Sequence, residues 1–193
     1  MDRAESPPCC WTSPTPESTL SAAGALARVI ERERPETLCT LGLRGALGAG
    51  KTAFVQGLAS GFGIDPVHVS SPTFTICNEY PLAGGGVLAH LDLYRIESEG
   101  ELEATGFLDL LEPGNVLAVE WADRLPGVLP AERFDLEIER LAASTPGLAG
   151  AAEVGDATSV VSARRLQLTN AGVGARERLV RWTEALDATL QRG

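Results

Sequence analysis

The sequence predicts an α/β domain whose sheet is partly antiparallel and flanked by helices. Three observations predict it. A β-rich run, Leu38 to Leu43, passes through a glycine-rich turn into an amphipathic run, Thr52 to Gly61. Two β-rich runs, 74–80 and 87–94, flank a short loop holding Gly84-Gly85-Gly86, the pattern of an antiparallel hairpin. Apolar stripes at helical spacing lie near both ends: Leu20, Ala23, Leu26, Ala27 and Ile30, then Leu179, Trp182, Leu186 and Leu190. With 193 residues, 44% of them hydrophobic, the chain has enough material for one domain with a buried core.

Taken in order, residues 1–16 hold Pro7, Pro8, Pro14 and Pro16 without periodicity, which predicts a flexible N-terminal tail. Residues 17–193 form the domain. Its first helix runs from Pro16 to about Glu33, with Thr15 as N-cap, Pro16 at the first helical position, and Pro35 beyond its end. The helix over 52–61 buries Phe54, Val55, Leu58 and Ala59 and closes at Gly61 and Gly63. After the hairpin, a helix starts at about Ser98, ends at Gly106, and is followed by a short second one. Asn115 to Trp121 reads as a buried strand. Residues 134–139 alternate as a half-buried strand, and Arg164 to Leu168 is expected to pair with them. Between them, 142–158 is a low-complexity loop of Ala, Gly, Ser and Thr. The last helix spans about 174–191.

Charge and cysteine usage narrow the function. The net charge is −10, and the single lysine is Lys51. Broad electrostatic contact with nucleic acid needs clustered Lys and Arg, so that class is disfavoured. No apolar run reaches the ~18 residues of a membrane span. Neither is there a basic stretch followed by a long apolar one, so no secretory signal is read and the cytoplasm is the expected location. The four cysteines, Cys9, Cys10, Cys39 and Cys77, show no CxxC spacing, so neither zinc nor a disulfide framework is expected.

The chemistry begins at Gly45-Ala46-Leu47-Gly48-Ala49-Gly50-Lys51-Thr52, which fits the P-loop pattern in its strand–loop–helix context. Glycines let several backbone N–H groups converge on one anion, and the helix N-terminus adds partial positive charge. Gly45, Leu47, Gly48, Ala49, Gly50, Lys51, Thr52 and the following Ala53 are the candidate nucleotide contacts. Lys51 reaches the β- and γ-phosphates, and the Thr52 hydroxyl ligates Mg²⁺. A nucleoside triphosphate with magnesium is therefore expected.

Hydrolysis needs carboxylates. Glu120 ends the apolar run Leu117-Ala118-Val119, the Walker-B arrangement, at the strand edge where open α/β sheets bind ligands. A solvated strand-end glutamate is the alternative. Asp92 shares a strand face with His90; it is placed to orient water or support the metal, unless that face is simply exposed. His90 reads as a hydrogen-bonded structural histidine, and Tyr94 and Arg95 as surface or packing residues. Trp121 is either a buried aromatic or a nucleotide contact. Ser71-Pro72-Thr73 is either a switch that senses magnesium and γ-phosphate or a plain turn into the next strand.

Several stretches together resemble the bacterial TsaE family. They are the P-loop, Ser71-Pro72-Thr73-Phe74-Thr75, His90-Leu91-Asp92-Leu93-Tyr94-Arg95, Glu103 to Gly106, Val119-Glu120-Trp121 and Leu129-Pro130. The resemblance implies a single P-loop NTPase domain with a mixed sheet. It also implies slow ATP hydrolysis serving threonylcarbamoyladenosine modification of tRNA, with TsaB and TsaD as partners. It places catalysis on Lys51, Asp92 and Glu120, the metal on Thr52 and Glu120, and nucleotide contacts on Thr19 and Arg164 besides the loop. Family loops usually carry Asp or Glu where Ala46 stands. The acidic balance suggests that tRNA is met only indirectly, through the complex. Two functions remain in view: an ATPase whose turnover is required, and an ATP-gated assembly module in which binding suffices. ATP is favoured over GTP by the resemblance and by the lack of an Asn-Lys-x-Asp motif. A small-molecule kinase is disfavoured by the lack of an arginine-rich lid.

Overall fold

Four strands at the centre of the sheet run parallel, and their sequences show why. Val116 to Glu120 is buried at every position, the near-continuous apolar run of a strand covered on both faces. The computed structural model describes residues 9–33, 37–141, 163–171 and 175–192. Its strands are β1 (Cys9–Ser13), β2 (Cys39–Arg44), β3 (Cys77–Pro81), β4 (Val87–Asp92), β5 (Val116–Glu120), β6 (Arg133–Arg140), β7 (Arg164–Ala171) and β8 (Gln191–Arg192). The helices are α1 (Pro16–Glu33), α2 (Lys51–Gly61), α3 (Glu99–Glu103) and α4 (Ala175–Asp187). They build a mixed eight-stranded sheet in the order β3-β4-β5-β2-β6-β7-β1-β8. Strands β4, β5, β2 and β6 are mutually parallel. The hairpin β3–β4 and the pair β6–β7 are antiparallel, as expected from the sequence.

Two cores cover the two faces. On one, Leu26 of α1, Phe54 and Leu58 of α2, and Trp182 and Leu186 of α4 pack on Leu41, Leu43, Val116 and Leu136. On the other, Leu102 of α3 and the 3-10 turn residues Phe107 and Leu110 pack on Ala89, Leu91, Leu117 and Val119. Alternation along β4 and β5 thus leaves His90, Asp92 and Glu120 on the face that α2 covers. Cys39 is buried in β2, and burial pushes its thiol pKa up to about 12, an inert core cysteine.

The cap of α1 is reciprocal: the Ser18 N–H donates to Thr15 Oγ1 at 3.1 Å, and the Thr15 N–H donates to Ser18 Oγ at 3.0 Å. Helices α1 and α2 touch through Gly57, where an added Cβ would stand 2.5 Å from the Leu20 carbonyl oxygen and 2.7 Å from Ala23 Cβ. Gly57→Ala is therefore expected to lower stability by about 1–3 kcal/mol, read as a shifted urea midpoint.

Three expectations are corrected. Residues 9–13 of the expected tail form β1, which pairs with β7 and β8, and Trp11 is fully buried there. The prolines conceal this because they flank a five-residue strand whose partner lies more than 150 residues away. Residues 74–76 belong to a turn and β3 begins at Cys77, since Ile76 adopts φ +68°. The last helix stops at Asp187, and Gln191–Arg192 joins the sheet. Residues 1–8 and the expected loop 142–158 lie outside the described residues.

Candidate functional site

The C-terminal ends of the parallel strands converge, and each delivers a polar group. β2 runs into the P-loop, whose first residue, Gly45, has φ +135°; a Cβ there would collide with the Ile138 carbonyl of β6. Gly50, at φ +114°, is the N-cap of α2, and no side chain bonds the helix start. The N–H groups of the first turn are thus presented to an anion. Leu47 at the tip of the loop is 83% exposed, so its backbone rather than its side chain is the usable part.

Lys51 opens α2 and is buried. Its Nζ donates to the carbonyl oxygens of Gly45 at 2.7 Å and Ala46 at 3.1 Å, and stands 3.7 Å from the Trp121 ring centroid. Burial depresses its pKa, while Glu120, Asp92 and Asp123 act in the opposite direction. The ammonium is thus curled into the loop and poised beside the carboxylates. Asp123 was not found by sequence reasoning; its place two residues after Trp121 carries no spacing signal.

Asp92 and Glu120 are register partners on β4 and β5, so their side chains stand next to each other. The Glu120 Oε1 atom accepts from the Thr52 hydroxyl at 2.7 Å and from His90 Nε2 at 2.8 Å. Nδ1 of His90 has no hydrogen-bond partner among the described residues. His90 is therefore the hydrogen-bonded histidine expected from the sequence, and its bond orients Glu120. The Asp92 Oδ2 atom accepts from the hydroxyls of Ser71 at 3.0 Å and Thr73 at 2.9 Å; Oδ1 accepts from the Tyr94 N–H at 2.9 Å. Neither acid lies on an exposed face: Glu120 is 3% and Asp92 4% exposed.

Two backbone outliers flank this cluster. Ile76 and Trp121 have φ +68° and +58°, values uncommon for non-glycine residues and strained for a β-branched one. At Trp121 the left-handed turn lays the indole over Lys51 and 5.0 Å from the Tyr94 ring. At Ile76 it closes the loop that carries Ser71 and Thr73, so that segment is tied to Asp92. It is more than a turn leading into a strand.

The other candidates divide. Arg164 is brought to the loop: its Nε donates to the Ala49 carbonyl at 3.0 Å. Thr52 and Ala53 lie in the first turn of α2. Thr19 is a correction. Its hydroxyl is fully buried, 2.7 Å from Ser13 Oγ, and donates to the Thr15 carbonyl, so it joins β1 to α1 and offers nothing to a nucleotide. The Arg95 guanidinium stacks 5.4 Å from the Phe74 ring.

The donor set suits magnesium. A hydroxyl and a carboxylate oxygen lie 2.7 Å apart, with a second carboxylate on the adjacent strand. All are hard oxygen donors, and Mg²⁺ takes few protein ligands and fills its shell with water and phosphate. Among the described residues no cluster of three or more His, Cys, Asp and Glu forms a cage of its own.

Comparisons with known proteins give the family. The family model for threonylcarbamoyl adenosine biosynthesis protein TsaE matches residues 13–145. The tRNA threonylcarbamoyladenosine biosynthesis protein TsaE of Bacillus subtilis is 40% identical over 132 residues, covering 67% of this chain and 77% of its own. Its Haemophilus influenzae counterpart is 34% identical over 113 residues, covering 58% and 70%. The crystal structure of Bacillus subtilis YdiB superposes with a TM-score of 0.60 at 28% identity, over 97% of this chain and 98% of that one. The P-loop, the paired acids at the sheet edge and these matches lead to one conclusion: the chain belongs to the TsaE family.

Proposed function

We propose that the protein is a Mg²⁺-dependent ATPase that serves threonylcarbamoyladenosine modification of tRNA together with TsaB- and TsaD-like partners. The observation that carries the reading is the Thr52–Glu120 bond at the mouth of the P-loop, with Asp92 next to it in register. The N–H groups of the loop and of the first turn of α2 bind the phosphates. Lys51 leaves the Gly45 and Ala46 carbonyls to meet the β- and γ-phosphates. Thr52 and Glu120 hold the cation, which when bound neutralises charge on the transferred phosphoryl group. His90 keeps the Glu120 carboxylate oriented. Asp92 accepts a hydrogen bond from the attacking water and holds it in line. ATP is preferred over GTP on family resemblance. A net charge of −10 favours handling of the tRNA by the partners, and the expected location is the cytoplasm. No helix among the described residues is long and apolar enough to cross a membrane.

A second reading, an ATP-gated assembly module, is favoured by one feature. Asp92 is bonded to Ser71 and Thr73, and the residue after Thr73 is Phe74, 85% exposed. Occupancy of the site is thereby linked to a protruding aromatic. Pull-downs of TsaD- and TsaB-like proteins with ATP and with ADP test the partner assignment; capture that ignores the nucleotide overturns it. Phosphate release by wild type and Asp92→Ala, compared with tRNA modification, separates the readings. Modification supported by a hydrolysis-dead, ATP-binding Asp92→Ala selects the gated module.

Lys51→Ala tests the nucleotide site itself. It removes the only lysine and the charge aimed at the phosphates, and is expected to weaken ATP binding by about a hundredfold or more. Isothermal titration reads the affinity, and unchanged binding would rule out the P-loop as the phosphate site.

A further inference from the structure

β6 and β7 match their charges at one position and oppose them at the next. Glu139 and Arg165 face each other across the pair, and their side chains bond at 2.8 Å. One residue on, Arg140 lies directly opposite Arg164. Like charges in directly opposed positions of an antiparallel pair repel. Side chains alternate between faces, so this second pair projects from the side opposite to the Glu139–Arg165 bridge. On that side lies the P-loop.

Both arginines reach it. Arg164 Nε donates to Ala49 and lies 2.9 Å from where a Cβ on Gly50 would stand. Arg140 Nη1 lies 4.0 Å from a Cβ built on Gly48. Arg140 is also the last residue of β6, the fourth parallel strand, so it sits on the sheet edge where β4 and β5 end in Asp92 and Glu120. The loop is therefore flanked by carboxylates from one side and guanidiniums from the other. Burial lowers the Arg164 pKa, and Arg140 lowers it further, while exposed Glu17 acts in the opposite direction. An anion held between the two guanidiniums relieves this repulsion. The ligand that brings several anionic oxygens to a P-loop rim is the phosphate chain of a nucleotide.

We infer that Arg140 is a nucleotide-binding residue, forming with Arg164 a two-arginine clamp for phosphate on the outer rim of the P-loop. The inference rests on the nucleotide-binding reading above and adds a binding residue to it. With Lys51 the only lysine in the chain, further positive charge at the phosphates must come from arginine.

The test uses the full chain, with Arg140→Ala and Arg140→Lys titrated with Mg²⁺-ATP and Mg²⁺-ADP by calorimetry. Arg140→Ala is expected to weaken ATP binding about tenfold, the scale of one charge-assisted contact, and Arg140→Lys to restore part of the loss. A loss shared with ADP or confined to ATP supports the clamp equally. The melting temperature of the nucleotide-free Arg140→Ala protein is measured beside the affinities. A melting temperature that falls, with ATP affinity unrecovered in Arg140→Lys, assigns Arg140 a structural role and overturns the clamp. Unchanged ATP affinity in Arg140→Ala, with the wild type binding normally, overturns the clamp alone. A wild type that binds no ATP overturns the nucleotide-binding reading as well.

Discussion

Glu120→Gln is expected to lower ATP turnover at least about a hundredfold while leaving the fold intact. The amide keeps the volume of the carboxylate and an acceptor oxygen for the Thr52 hydroxyl and His90 Nε2, which bond Oε1 at 2.7 and 2.8 Å. What it loses is the charge that attracts the cation. The effect should therefore appear first as a metal phenotype. The Mg²⁺ concentration for half-maximal phosphate release should rise about tenfold or more, and Mn²⁺ binding followed by electron paramagnetic resonance should weaken in parallel. The thermal midpoint of the nucleotide-free protein should not fall, because a buried carboxylate is replaced by a neutral isostere. An unchanged Mg²⁺ dependence would remove Glu120 from the metal site and leave Thr52 without its partner.

Trp11→Ala is expected to destabilise the protein by about 3–5 kcal/mol, the usual cost of emptying a large core position. Trp11 is fully buried in β1, and its indole N–H donates to Asp187 Oδ1 at 2.7 Å. The substitution leaves a cavity between the sheet and α4 and removes the donor that Asp187 faces. Urea denaturation with an unchanged m-value reads the loss. The result also decides between two descriptions of the N-terminus. A flexible tail at Trp11 predicts no change in stability, whereas a strand between β7 and β8 predicts the full loss. Because the Trp11 side chain bonds Asp187 rather than a residue of the P-loop, nucleotide affinity at low temperature should stay near that of the wild type.

Much of the site was legible in the residues because its signals are local. The spacing of Gly45, Gly50, Lys51 and Thr52 encodes a loop shape. The apolar run before Glu120 encodes a buried parallel strand with an acid at its C-terminal end. The alternation His90-Leu91-Asp92 places two polar groups on one face. Each depends only on chain geometry within a few residues, and the structure reproduces all three. Helices α1 and α4 were legible for the same reason, since periodicity and the Thr15–Pro16 start are short-range patterns.

The strand at Cys9–Ser13, the burial of Thr19, the layering of Trp121 on Lys51 and the opposition of Arg140 to Arg164 were not legible. β1 exists because β7, some 150 residues on, offers an unpaired edge. A proline-rich composition says nothing about that edge. The Thr19 hydroxyl is engaged by Ser13 at 2.7 Å, a contact made only when β1 packs beside α1. Trp121 covers the lysine only through a left-handed backbone turn. Arg140 and Arg164 face each other by virtue of a register between strands on either side of residues 142–158. Chemistry carried by neighbours in the chain is written in their order. Chemistry made by pairing distant strands depends on register and on which edges are covered, and these follow from the packed sheet.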